Sequence, residues 1–252
     1  MQSALHRLPV LFAVCAFLQP LQPQSGSAAK PATPSEVLQY EVEWRLVRAG
    51  TARLSRIPQG TSTQYDLHLD SAGLVSKLYR VNDNYSVTFD SNYCAAGTFM
   101  RSEEGARRRE TTVTFERERK KAVYNEKDLV KNGTTHKELD IPPCVQDVVT
   151  ALTRLRATKP AIGQSVTFPI TDGKRIINAK IEAQEKEKVK TPTGTYDAIR
   201  YEAFLFNDQL YVRKGRLFVW ITDDDRRLPV QIRVRLNFPV GTISLQLEKI
   251  GQ

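Results

Sequence analysis

Hydrophobic and polar side chains alternate at every second position through most of this chain. The clearest example is the stretch 217–236, in which an apolar arm and an alternating arm, Leu228 to Leu236, flank a charged turn at 223–225. A period of two places one row of side chains on a buried face and the other in water, as in a half-buried β-strand. The three consecutive Asp residues suit a reversal because their side chains can bond their own backbone. The stretch therefore predicts a β-hairpin.

The same alternation recurs along the chain and predicts about a dozen strands. The first is the most regular: Leu38, Tyr40, Val42, Trp44 and Leu46 alternate with polar residues. Later runs of the same kind cover 52–54, 65–70, 79–89, 112–115, 165–170, 177–183, 196–206, 210–213 and 243–247. Short turn signals separate most of them, so we expect an antiparallel meander.

One segment has a helical period instead. Val145, Val148, Val149, Leu152 and Leu155 share one face of a helix, which prolines precede and Pro160 follows. We expect a helix near 145–157, with its apolar stripe buried against a sheet. The predicted fold class is mainly β: a strongly curved antiparallel sheet, or an open barrel or sandwich, with one amphipathic helix packed on it. Residues 36–252 are expected to form this single domain.

The first residues resemble a secretory signal rather than part of the domain. His6 and Arg7 precede the apolar run 8–18, and small residues follow at 27–29, where we place cleavage, after Ala29 or after Ser27. The apolar run is too short for a permanent span, although an uncleaved anchor stays the alternative. Residues 30–35 then form a Pro-containing tether, and the mature chain is expected to be exported without a transmembrane span.

Removal of the signal leaves Cys94 and Cys144 as the remaining cysteines. Two cysteines in an exported chain favour a disulfide, which would stabilise the fold by about 4 kcal/mol in the chain-entropy model. The alternative is two separate buried thiols.

The chain is moderately basic, with 37 Lys and Arg against 28 Asp and Glu. That excess fits work beside anionic lipid, polysaccharide or an acidic partner, and it gives no reason to expect nucleic acid. Much of it lies in a predicted hairpin over 107–121, which is either a solvated face or a binding patch.

No arrangement of residues predicts catalysis. The chain lacks the common nucleophile, metalloprotease and phosphate-binding motifs. Asp223, Asp224 and Asp225 are the best metal candidates, but Arg226 and Arg227 follow at once, and a turn is the better interpretation. We therefore expect no catalytic residues, no metal site and no cofactor, and a protein that is not an enzyme.

Several stretches together resemble a known family. They are YEVEWRLVRAGTARL, GLVSKLYRVNDNYSVTFD, DVVTALTRLR, TPTGTYDAIRYE and FVWITDDDRRLPVQIRVRL. In this order they resemble the bacterial exported family called domain of unknown function 3108, over about 36–247. The resemblance implies a location in the periplasm or outer envelope of a bacterium and a curved antiparallel sheet, and it supplies no catalytic residues. More loosely, the plan is similar to the periplasmic lipoprotein carriers, by fold analogy only.

The predicted function is binding rather than catalysis. If the helix leaves part of a curved sheet open, aromatic side chains on the strands would line an apolar groove. The candidates are Tyr40, Trp44, Tyr79, Phe218 and Trp220. Such a groove would hold an apolar ligand or a lipid-bearing partner, such as a lipid, a lipoprotein or another envelope protein. Core packing explains the same aromatics without a ligand. The alternative function is a structural or interaction module that contacts an envelope component through the basic hairpin 107–121.

Overall fold

Fourteen strands and two helices account for most of the chain in the computed structural model, which describes residues 35–251. The predicted signal, 1–29, and all but the last residue of the predicted tether lie outside the described residues. The strands are β1 (Glu36–Trp44), β2 (Val47–Gln59), β3 (Ser62–Ser71), β4 (Val81–Asp90), β5 (Ala95–Glu104), β6 (Arg107–Glu116), β7 (Lys121–Asp128), β8 (Thr134–Asp140), β9 (Ser165–Thr171), β10 (Ile176–Thr191), β11 (Gly194–Ala203), β12 (Gly215–Thr222), β13 (Pro229–Leu236) and β14 (Thr242–Gly251); the helices are α1 (Gly73–Leu78) and α2 (Val148–Thr158).

All fourteen strands belong to one antiparallel sheet. Its order is β8-β7-β6-β5-β4-β3-β2-β1-β14-β13-β12-β11-β10-β9, so two meanders are joined through the pairing of β1 with β14. The two edge strands, β8 and β9, do not pair with each other. The predicted mainly β class and the antiparallel arrangement are confirmed.

The sheet curves until its two meanders approach each other. A Cβ atom built on Gly173, in the β9–β10 turn, would lie 2.6 Å from a methyl group of Val113 and 3.0 Å from the ring of Tyr124. These two residues belong to β6 and β7, in the other meander. Gly173 also has a φ of +86°, which favours glycine. The turn thus needs glycine both for its backbone conformation and for this close approach.

Helix α2 fills the inside of the curve. Its Val149 packs against a core cluster that contains side chains of both meanders, while Ala151 and Leu155 pack with inward side chains of the second, including Tyr201 and Val219. Asp147 caps its first turn by accepting from the backbone N–H groups of residues 149 and 150. The predicted helix is therefore confirmed, with the start three residues later than expected. Of its predicted stripe, Leu155 is buried and Val148, Val149 and Leu152 are half-buried, while Thr150 and Ala151 are buried as well.

Helix α1 was not predicted, because its sequence was interpreted as part of a strand. It begins at Gly73, whose φ is +61°, and none of its six residues is buried. Leu74 and Leu78 are one turn apart and both point into solvent. A helix with no buried face has no core to impose a helical period on its sequence.

The predicted disulfide is present and ties the two meanders together. Cys94 follows β4, and Cys144 lies in the segment that leads to α2. Beside it, the carbonyl oxygen of Val145 accepts from the N–H of Ala95 at 2.9 Å, and Gln146 bonds β9 on both sides of Ile170. We call residues 144–147 the clasp, because they connect β5 of one meander with β9 of the other.

Candidate interaction site

The five predicted groove aromatics do not converge on one surface. Tyr40 is buried on the inner face, where its hydroxyl donates to the carbonyl oxygen of Pro229 at 2.9 Å. Phe218 and Trp220 alternate along β12 with Val219, and so they lie on the face directed away from α2. Trp44 and Tyr79 lie at one end of the sheet, in or beside its connections.

The outward pair, Phe218 and Trp220, is covered by arginine side chains. The guanidinium carbons of Arg216 and Arg235 lie 4.7 and 5.4 Å from the ring centre of Phe218, and that of Arg233 lies 5.1 Å from Trp220. Stacked guanidinium groups shield aromatic faces from water through cation–π contact. These two aromatics are therefore structural and present no apolar surface to a ligand.

The concave face is occupied by α2 and by the core. Arg156 of α2 makes a double hydrogen bond to the carboxylate of Glu36, at 2.7 and 2.8 Å, and also donates to the carbonyl oxygen of Arg227. Tyr85 donates to the carboxylate of Asp147 at 2.6 Å. Burial raises the pKa of both Tyr40 and Tyr85, so both phenols stay neutral hydrogen-bond donors. This interior is packed, and these polar side chains have hydrogen-bond partners, whereas the buried hydroxyl of Thr150 in α2 has none.

The basic hairpin is not a single patch. Its two clusters, 107–109 and 116–121, lie at opposite ends of β6 and its connections. Most of their cations are paired with acids on neighbouring strands. These pairs are Arg108–Glu103, Arg109–Glu104, Arg109–Glu126, Arg117–Asp90, Arg119–Glu116, Arg119–Glu138 and Lys121–Asp140. Such pairing fits a solvated, charge-balanced face better than a binding patch.

A different surface stands out at one end of the sheet. In an antiparallel sheet, alternate connections lie at the same end. Four connections at this end join strands that are neighbours in the strand order: β1–β2, β3–β4, β11–β12 and β13–β14. Hydrogen bonds link them in turn: Ala72 to Ala49, Arg45 to Val240, and Asn237 to Lys214. We call these four connections, residues 45–46, 72–80, 204–214 and 237–241, the apolar rim.

The rim concentrates exposed apolar side chains. Leu46 and Phe238 are the two most exposed large apolar residues of the described chain, at 91% and 90%, and Leu74 and Leu78 follow among the next, at 64% and 71%. The remaining large apolar residues of the rim that are exposed are Tyr79, Phe204, Tyr211 and Val212. Isolated exposed apolar residues are common, but a contiguous group marks an interaction surface.

The tips of the rim are held in place by Trp44 and Arg45. The indole N–H of Trp44 donates to the carbonyl oxygen of Val240 at 2.6 Å, and Arg45 donates to Val240 and Pro239. The Arg45 guanidinium also lies over the Trp44 ring, 5.2 Å from its centre. These contacts join the β1–β2 turn to the β13–β14 loop, so that the exposed residues Leu46 and Phe238 belong to connections that are bonded to each other.

The rim is also basic. It contains Arg45, Lys77, Arg80, Arg213 and Lys214, all exposed, against the single acid Asp208. None of the five cations forms an ion pair with any residue of 35–251. At the opposite end of the same strands, the turns 60–61 and 223–228 carry none of the exposed large apolar residues, and the second holds three Asp. The rim thus differs from these two turns in both polarity and charge.

The rim was not predicted as a site, although two of the predicted groove aromatics, Trp44 and Tyr79, lie beside it or in it. Leu46 and Phe238 were assigned to strand faces or left as loop, because turn residues carry no periodicity to read. The available signal was composition: Leu-Val beside Arg45, and Phe-Pro-Val at 238–240, are apolar in places where turns usually carry polar residues. Only the fold shows that these turns are neighbours.

No three or more metal-ligating side chains are grouped within residues 35–251 in a way that could hold an ion. Asp223 instead pairs with Lys186 at 2.7 Å, and Asp224 accepts from Thr222 and from the N–H of Arg227. The Asp cluster is therefore used to build its turn. In the same part of the chain, neither helix has the length and apolar character needed to cross a membrane.

Known proteins resemble this chain mainly in fold. A β-barrel-like protein of the unknown-function family DUF1849 from Brucella abortus matches 85% of this chain and 96% of its own, with a TM-score of 0.58 and 9% identity. Two further structures match less well. An exported protein with a YmcC-like fold from Bacteroides fragilis is aligned over 88% of this chain and 98% of its own, with 9% identity and a TM-score of 0.33. A lipoprotein from Parabacteroides distasonis is aligned over 88% of this chain and 97% of its own, with 8% identity and a TM-score of 0.31. No curated protein matches.

At 9% identity the first of these likenesses shows the fold alone. The sequence model of a family described as protein of unknown function (DUF3108) matches residues 39–248, which is nearly all of the described chain. This match confirms the resemblance drawn from the five stretches above. The chain belongs to the DUF3108 family.

Proposed function

We propose that this chain is an exported, non-enzymatic binding protein of the bacterial envelope, which holds an apolar ligand or a lipid-bearing partner on its apolar rim. The observation that carries the proposal is the gathering of Leu46, Leu74, Leu78 and Phe238 at one end of the sheet. Export is supported by the signal-like sequence of 1–29.

The concave face supports this choice of surface. An acyl chain inside the sheet would have to displace α2, whose first turn is capped by Asp147 and whose last turn is tied to Glu36 by Arg156. Displacement would leave these charged groups without partners in a partly buried place, which costs several kcal/mol. The rim is already exposed, so binding there needs no such rearrangement.

A fluorescent fatty acid tests the proposal. All the strands and helices of the described residues, 35–251, and the disulfide are retained in a fragment that spans 32–252, so this fragment is the protein to use. We expect saturable binding that weakens at least about fivefold when Leu46→Asn, Leu74→Gln and Leu78→Gln are combined, since each removes buried apolar contact. Leu46 has a φ of +67°, which Asn tolerates, so the turn itself should persist.

The matched control is Ile162→Gln, an apolar side chain that is 52% exposed but lies outside the rim. It should leave binding unchanged. Equal affinity of the wild type and the triple variant, with unchanged melting temperatures, would contradict a binding site at the rim.

A further inference from the structure

The charge of the rim identifies the kind of partner more closely. We propose that the partner is the surface of an anionic phospholipid bilayer, on which the protein stands with its apolar rim inserted at the headgroup level. This inference rests on the proposed function, because it names the partner of the same surface.

The apolar contacts have the arrangement that interfacial insertion requires. Leu46 and Phe238 are at the tips of adjacent turns, and Leu74 and Leu78 form the solvent-facing side of α1 next to them. Side chains at the tips of several turns can enter a membrane interface together while the strands stay in water. A groove for a single soluble ligand would instead be concave, and these residues project outward.

The charges have the arrangement that anionic headgroups require. Arg45, Lys77, Arg80, Arg213 and Lys214 are exposed among the apolar tips and lack acidic partners within 35–251. Long basic side chains beside apolar ones combine insertion with electrostatic attraction to anionic lipid. A second copy of the chain would bring the same positive charge to the rim and be repelled.

The turns at the opposite end of the same strands differ from the rim. The turn 223–228 holds three Asp beside Arg226 and Arg227, and neither it nor the turn 60–61 carries an exposed large apolar side chain. These two turns therefore offer an anionic membrane neither apolar tips to insert nor the excess of unpaired cations that the rim has. This difference favours contact through the rim.

Vesicle flotation tests the inference, again with residues 32–252. We expect the protein to float with vesicles that contain phosphatidylglycerol and phosphatidylcholine in equal parts, and to bind phosphatidylcholine vesicles at least about tenfold more weakly. Raising the salt concentration from about 0.05 M to about 0.5 M should release most of the bound protein. Binding that does not depend on lipid charge or on salt would overturn the assignment of an anionic bilayer.

Two sets of variants locate the contact. Arg213→Glu with Lys214→Glu should weaken binding to the anionic vesicles at least about tenfold, whereas Lys188→Glu with Lys190→Glu, outside the rim, should change it less than about twofold. Equal losses for both pairs would show that net charge rather than the rim is responsible, and would overturn the inference.

Insertion has its own reporter. Phe238→Trp places an indole at a tip that is 90% exposed, and its emission should shift to shorter wavelength with anionic vesicles and be quenched by brominated acyl chains. If the emission of vesicle-bound protein does not shift, the rim stays in water and the inference is overturned.

Analytical ultracentrifugation without lipid tests whether the rim binds a second copy instead. A dimer that is abolished by the Leu46, Leu74 and Leu78 substitutions would identify a second copy of the chain, rather than the bilayer, as the partner of the rim.

The two proposals fail separately. If the fatty acid binds at the rim but vesicles do not, the protein binds a single apolar molecule and the bilayer inference falls alone. If the rim substitutions alter neither measurement, the proposed function falls as well.

Discussion

The carboxyl group of Asp83 lies on the inner face of β4, where its residue is 4% exposed and accepts from the N–H of Glu103 at 3.0 Å. Burial raises the pKa of this carboxyl above its ordinary value of 3.8, because the charged form is poorly solvated there. In the unfolded chain the group is solvated again and has its ordinary pKa. Folding therefore carries a penalty at neutral pH that disappears in acid.

Asp83→Asn removes the charge and keeps an oxygen that can accept from Glu103. As the pH rises from 3.8 through the folded pKa, the unfolded wild type binds fewer protons than the folded one, and its stability falls. We therefore expect the variant to melt at a higher temperature than the wild type at pH 7, with a difference that shrinks as the pH falls toward 3. A variant that melts lower at pH 7 would show that the carboxylate has a favourable partner.

Arg156, unlike Asp83, carries a charge that is expected to stabilise the fold. Its side chain is 14% exposed and joins α2 to Glu36 of β1 and to the carbonyl oxygen of Arg227. Arg156→Met fills the space but leaves the carboxylate without its cation, so we expect a loss of about 3 kcal/mol in the free energy of unfolding. Lys188→Met breaks the far more exposed pair with Asp197 and should cost less than about 1 kcal/mol. Urea titration of both variants makes the comparison, and equal losses would contradict it.

Elements with one buried face could be predicted from the sequence, and those without could not. The alternation of β1 and the stripe of α2 record contact with a core, which is why both were recognised. Helix α1 and the turns of the rim have no such contact, and the connections of the two meanders become neighbours only through the pairing of β1 with β14, which are about two hundred residues apart. The outward position of Trp220 was missed for a related reason: β12 is apolar on both faces, because arginines cover one of them.

The start of α2 is held by the side chain of Asp147. Asp147 accepts from the N–H groups of Val149 and Thr150 and from the hydroxyl of Tyr85. Asp147→Ala removes the cap and leaves a buried hydroxyl without an acceptor, for an expected loss of about 2 kcal/mol. Asp147→Asn keeps an acceptor and should recover more than half of that stability. Thermal unfolding followed by circular dichroism makes the measurement, and an Ala variant as stable as the Asn variant would exclude the capping role.

The described residues, 35–251, form an open sheet whose two meanders are joined at several places. One is the β1–β14 pairing within the sheet, and another is the clasp, residues 144–147, which bonds β5 and β9 across the gap between the edges. α2 begins directly after the clasp and packs on both meanders. The curvature of the sheet and the position of α2 are therefore coupled, and the Cys94–Cys144 bond lies at the clasp, where α2 begins.

Replacement of Cys94 and Cys144 by Ser should accordingly loosen one part of the molecule more than the rest. The two cysteines are 50 residues apart, which corresponds to a stabilisation of about 4 kcal/mol from the bond in the chain-entropy model. Beyond this global loss, hydrogen exchange should quicken most in the clasp, α2 and β9, because their contacts across the gap depend on residue 144. Exchange in β1 and β14 should track only the global loss, since their pairing lies far from the bond in the strand order. The control is the unreduced, denatured wild-type fragment, in which no free thiol should be titrated. Uniform acceleration in all strands would mean that the disulfide stabilises the fold only through the unfolded chain, and that the clasp does not hold the meanders together.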